Sequence, residues 1–171
     1  MEKRVPFCKK MLDDSEQFMD VCFSKLTLAQ EHVFFTKDNY FGRLRPRAKH
    51  PAKIHLWGGI SMRGATALTI FPGNVRLDSE KYCQIINDIY LPFKNIVYNG
   101  YTRLVQNNAP SHKSTYRKRR FEEDNIDCLP WPAESPDLNL VELVWGSMKK
   151  HIGDVAKPIN LDELRDAVYN Y

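Results

Sequence analysis

"WPAESPDLNLVELVWGSMKKHI", residues 131–152, decides how the rest of the chain is read. Ser135-Pro136 supplies a helix cap followed by proline at the first helical position. Leu138, Val141, Trp145, Met148 and Ile152 then recur at intervals of 3, 4, 3 and 4, which predicts one amphipathic helix from about Leu138 to Ile152. Glu142 falls on that same apolar stripe. A carboxylate there is costly unless it is paired, protonated or bound to a metal. Two readings stand: a glutamate at the stripe's edge reaching solvent, or a carboxylate aimed at an interior site.

Upstream of this segment, Val5, Cys8 and Leu12 lie at helical spacing, and "VCFS" (21–24) and "EHVFF" (31–35) read as two strands. "IHLWGGI" (54–60) and "ATALTIF" (65–71) form a hairpin with its turn at 61–64. From Asp78, Tyr82, Ile85, Ile86 and Ile89 keep helical spacing until Pro92 marks a stop. "TRLVQ" is a strand, "STYRKRRFEED" a basic helix, "IDCL" a short strand, and a last helix covers 161–171. A run of strands, a helix, then strand-helix-strand-helix is the order of a ribonuclease H-like α/β domain. The expectation is a mixed five-stranded sheet flanked by helices, one domain over residues 1–171. Sites in such open sheets form at the carboxyl ends of strands, here Ser24–Lys25 and Gln106–Asn107.

The 43% hydrophobic and 27% charged composition is that of a folded globular chain, and no apolar run approaches the ~20 residues of a membrane helix. The opening "MEKRVPFCKK" lacks the apolar core of a signal peptide, so nucleus or cytosol is expected rather than secretion. Cys8, Cys22, Cys83 and Cys128 are too scattered for a zinc site or a disulfide framework and read as buried free thiols. His32, His55 and His112 show no ligand-like spacing. A net charge of +4 hints at a polyanionic partner.

The segment at 131–152 closely resembles the signature of mariner/Tc-type transposases, a DDE-type endonuclease family. "QNNAPSHKS" (106–114) resembles that family's glutamine-aspartate-asparagine-x-proline-x-histidine motif. "RPRAKHPAKIHLWGGISMRGAT" (45–66) resembles the stretch leading into its tryptophan-glycine strand, and "MDVCFSKLTLAQEH" (19–32) its first catalytic strand. The resemblance spans essentially the whole chain. It implies a ribonuclease H-like fold and an ancestry in metal-dependent DNA cleavage and strand transfer. It also implies a preceding helix-turn-helix region, which these 171 residues do not include.

Such enzymes hold two Mg²⁺ or Mn²⁺ ions with three carboxylates from separate elements. The resemblance puts the third at Glu142 and the second 34 residues earlier, across 108–141, at Asn107. The first position falls on Lys25. Two of the three triad positions are therefore not acidic. Asp20, five residues before Lys25, projects to the opposite strand face, and Asp38 lies thirteen residues beyond it; neither substitutes. An asparagine carbonyl still ligates a hard cation weakly. An ammonium 4 Å from a divalent ion repels it by ~8 kcal/mol at an effective dielectric near 20. The expectation is a metal site that no longer works and no resident cofactor.

The DNA-facing surface is the part expected to survive. Arg43, Arg45, Arg47, Lys49 and Lys53 project to one side of an extended segment that Pro46 and Pro51 keep out of a sheet interior. Lys113, Arg117, Lys118, Arg119 and Arg120 form a second cluster. Both suit weak binding of DNA through its phosphates, indifferent to sequence. The bland alternative for the second cluster is a solvated face balanced by "FEEDNID" (121–127). His112 is either the family's histidine beside the site or a satisfied structural residue. A homodimer is compatible with the resemblance. Three functions remain open: a relic that binds nucleic acid or protein, a working strand-transferase with unusual ligands, or the reading frame of a decaying element.

Overall fold

The computed structural model describes residues 3–30, 53–107, 109–132 and 135–171. The expected strand at 31–35 and the candidate phosphate-binding residues Arg43, Arg45, Arg47 and Lys49 lie outside them. Five strands form a mixed sheet: β1 (Val21–Gln30), β2 (Lys53–Ser61), β3 (Gly64–Ala65), β4 (Thr69–Pro72) and β5 (Arg103–Val105). Their order is β3-β2-β1-β5, with β4 also paired to β2. β1 and β5 run parallel, Cys22 opposite Leu104, while β2 and β3 are antiparallel, Ile60 opposite Ala65. The helices are α1 (Arg4–Asp13), α2 (Ser79–Ile85), α3 (Leu91–Tyr98), α4 (Pro110–Lys113), α5 (Thr115–Glu123), α6 (Val141–His151) and α7 (Leu161–Tyr169). Among the described residues, no helix is long and apolar enough to cross a membrane.

Several boundaries differ from those expected of the sequence. β1 runs on past Ser24 to Gln30, since no glycine, proline or asparagine interrupts 21–30. The hairpin's second arm breaks after Ala65, where Thr66 turns its N–H and its Oγ1 onto Gly59 (2.9 Å each). Pro92 does not end the helix. A π turn at Ile86–Tyr90 joins α2 to α3 and places Pro92 in α3's opening turn, where a proline's missing N–H goes unmissed. The chain leaves α3 through left-handed Asn99 (φ 51°) and Gly100 (φ 88°). "IDCL" contributes a single parallel bridge, Leu104 to Cys128, rather than a strand.

The chain folds as two compact units: Met1–Lys25, Trp57–Thr69 and Arg76–Glu142 make one, and Leu26–Leu56, Ile70–Val75 and Leu143–Tyr171 the other. In the first, Val21, Cys22, Trp57, Tyr82, Ile86, Tyr90, Leu104 and Val105 are fully buried. The Ser24 hydroxyl donates to Val105 O (2.9 Å) and the Tyr90 hydroxyl to Thr102 O (2.8 Å), which satisfies polar groups inside that core. Gly59 is required by space: a Cβ there would lie 2.7 Å from Cys22 Sγ. Burial pushes the Cys22 thiol up to about 12, so it is an inert packing group. All four cysteines are free, Cys22 and Cys83 buried, Cys8 and Cys128 partly so. The second unit buries Ile54, Leu56, Trp145, Met148, Ile152, Leu164 and Val168. Its α7 is capped by Asn160, whose side chain accepts from Glu163 N (2.9 Å) and donates to Glu163 Oε1 (2.8 Å).

Candidate functional site

Three residues distant in sequence line one cavity of about 150 Å³: Lys25 of β1, Asn107 just after β5, and Glu142 in the first turn of α6. Trp131, Ser135 and Asn139 line it too. Local chemistry explains the convergence. The parallel pairing of β1 with β5 carries Lys25 and Asn107 to the same end of the sheet. Asn139, buried, donates through Nδ2 to Ser24 O (3.4 Å) and accepts at Oδ1 from Val141 N (3.3 Å). That one side chain ties the start of α6 to the residue before Lys25. The cap expected at Ser135 is not the one that forms: Pro136–Leu138 is a short 3₁₀ turn without a Ser135 side-chain cap bond, and α6 opens only at Val141. The signal for the true start is an asparagine two residues ahead of the helix.

Lys25 Nζ and Glu142 Oε1 form an ion pair, with 23% of each side chain exposed. Glu142 is thus neither pointing freely to solvent nor an unpaired carboxylate in the interior; the ammonium is its partner. Asn107 folds back on its own turn, Oδ1 accepting from Ala109 N (3.2 Å). His112 is buried, with Nδ1 2.9 Å from Asn107 O, so Nδ1 carries the proton and donates. Its ring lies 4.0 Å from that of Tyr82, whose hydroxyl is 2.6 Å from the Gln106 amide. Burial holds the His112 pKa below the ordinary histidine value, which keeps the ring neutral, and its Nε2 has no hydrogen-bond partner among the described residues. Here His112 braces the Asn107 turn.

Of the other acidic candidates, the one within the described residues is engaged elsewhere. Asp20 accepts from Arg103 (2.6 Å), which also pairs with Glu16 (2.8 Å). Asp38 is outside the described residues. Among the described residues, no group of three or more His, Cys, Asp or Glu side chains is placed to hold a metal ion.

The second basic cluster is less available than its sequence suggests. Arg119 pairs with Glu123 (2.9 Å), and Arg120 with both Glu123 (2.9 Å) and Asp124 (3.6 Å). The Arg117 guanidinium lies 4.3 Å over the Phe121 ring. Lys53, Lys113 and Lys118 are exposed.

A mixed sheet carrying its site where β1, β5 and a late helix meet defines a ribonuclease H-like α/β domain. Residues 17–165 match the family model of the DDE superfamily endonucleases. The chain belongs to that family, in its mariner/Tc transposase branch. It is 34% identical over 119 residues to the Tc1 transposase of Caenorhabditis elegans, covering 66% of this chain and 43% of that protein. Against the Tc3 transposase of the same organism it is 46% identical over 119 residues, covering 70% of this chain and 33% of that one. The chain therefore spans well under half of these relatives' length. A pre-cleavage Mos1 transpososome is similar in fold over 99% of this chain and 54% of that chain, with a TM-score of 0.79 at 16% identity. The catalytic domain of Mos1 mariner transposase matches over 96% of this chain and 75% of that chain, with a TM-score of 0.67.

Proposed function

We propose that this chain is a transposase-derived DNA-handling domain that binds DNA but does not cut it. The observation that carries the reading is the Lys25–Glu142 ion pair. The carboxylate at the family's third position accepts from an ammonium at the first, and the second position is an amide. Mg²⁺ requires hard, mostly anionic oxygen ligands in near-octahedral array. One engaged carboxylate and one asparagine oxygen do not fit a pair of such ions, and no step is derived through them. DNA as the partner is supported by family membership and by the company the fold keeps, including a Mos1 transposase paired-end complex with left transposon end. Binding through exposed lysines is weak and indifferent to sequence, and paired copies on DNA in the nucleus are the matching assembly and place.

The test is a nicking assay on duplex DNA with Mg²⁺ and then Mn²⁺. Wild-type protein is expected to leave the duplex intact. Lys25→Asp with Asn107→Asp is expected to gain metal binding by calorimetry, whereas Asn107→Asp alone gains none, because Lys25 still occupies the metal's place. Nicking by wild-type protein that Glu142→Gln abolishes would establish the other reading, an active endonuclease with an unusual ligand set.

A further inference from the structure

We infer that Lys25 is a phosphate-binding residue held in check by Glu142, so that the remnant of the catalytic cavity takes a DNA phosphodiester without a metal. The inference rests on DNA being the partner. Lys25 and Glu142 meet at a solvent-reached cavity, each still 23% exposed, and not in a sealed interior. An ammonium offers three donors and no acceptor. A phosphate oxygen accepts the same charge-assisted hydrogen bond that the Glu142 carboxylate accepts now. Exchanging one anion for the other is therefore a substitution at a single cation, with no covalent step and no co-reactant.

An ion pair of this exposure contributes little net stability in water, so an incoming phosphate displaces it at small cost. The cavity also stands where the fold brings β1, β5 and α6 together, and its rim carries the amide of Asn107, which is exposed. Elsewhere the same chemistry has already been neutralised: Arg119 and Arg120 are matched by Glu123 and Asp124 as Lys25 is by Glu142. The difference is position. Glu123 and Asp124 sit within four residues of their partners on one helix, whereas Glu142 reaches Lys25 from another element. Glu142, the residue that family membership would mark for catalysis, acts here as an internal competitor of DNA.

The experiment titrates a labelled duplex of about 20 base pairs into the full chain, between about 50 and 200 mM salt. It compares wild type, Glu142→Gln, Glu142→Asp, Lys25→Gln and the Lys25→Gln/Glu142→Gln double variant, with inorganic phosphate as a separate arm. Glu142→Gln is expected to bind duplex about fivefold tighter, the weight of one such ion pair. Its plot of log affinity against log salt should steepen by at most about 0.9, the full weight of the one phosphate contact that Glu142 holds in check. Glu142→Asp keeps the charge on a shorter side chain and should bind no tighter than Glu142→Gln, while a thermal melt of each variant separates competition from a loosened α6. The double variant should lose both gains. If all five proteins bind duplex alike, with a steep salt dependence, the inference falls and the DNA reading stands. If none binds duplex while Glu142→Gln still takes up inorganic phosphate, the DNA reading falls and the site is one for free phosphate, which also overturns the inference as stated.

Discussion

At the scale of single residues, the proposed function turns on the Lys25 ammonium that pairs with Glu142. Replacing either Lys25 or Glu142 by a neutral residue leaves the other charge half-buried and alone. Replacing both by apolar residues of similar size leaves nothing to desolvate. A double-mutant cycle by urea denaturation should therefore return a favourable coupling of about 1 kcal/mol, the upper range for a pair this exposed. His112 gives a second test. Its folded pKa lies below the ordinary histidine value of 6.5 because burial disfavours the imidazolium. The unfolded chain then binds a proton more readily, so this contribution is complete above about pH 6.5 and is lost as pH falls towards the folded pKa. Unfolding free energy measured between about pH 7.5 and 5.5 should decline for wild type and flatten in His112→Gln. The resemblance makes Asn107 and Glu142 legible as a pair, because the interval of 34 residues that it implies between the second and third positions is kept in this chain. That Lys25 turns towards Glu142 is not legible, since nothing in "VCFSKLT" fixes where a four-carbon side chain ends.

At the scale of elements, the start of α6 is the joint on which the site depends. Asn139→Ala removes both the cap on Val141 N and the bond to Ser24 O. Unfolding free energy should fall by about 1–2 kcal/mol, with Glu142 displaced from Lys25 as a visible loss of that ion pair's coupling. Gly59→Ala probes the sheet in the same way: its Cβ meets Cys22 Sγ at 2.7 Å, and the overpacking should cost about 1–3 kcal/mol by denaturant titration, relieved in part by Cys22→Ala. Hydrophobic spacing reveals the helices and most strands. It does not reveal the π turn at Ile86–Tyr90, because one extra residue in a turn leaves the apolar positions looking like a continuing helix, and Pro92 then reads as a terminator. Nor does it show β1 passing through Lys25, since the short apolar run "VCF" followed by the polar Ser24 and Lys25 reads as a strand that ends there.

At the scale of the whole molecule, the count of 25 lysines and arginines overstates the cations free to meet a polyanion, because Arg4, Lys25, Arg103, Arg119 and Arg120 are all committed to carboxylates. The same Lys25–Glu142 pair also bears on endurance. A cluster of three carboxylates repels itself until a cation arrives, so a working site of this kind is a standing source of instability. On the proposed reading, a built-in ammonium removes that burden and gives up turnover with it, a trade of activity for stability. Restoring the acidic set through Lys25→Asp and Asn107→Asp should accordingly lower the melting temperature in chelator by about 2–4 °C, with Mg²⁺ recovering the loss, while the wild-type melt stays the same with or without the ion. On the proposed reading the domain carries, in Lys25, the counterion that an acidic site would otherwise have to recruit.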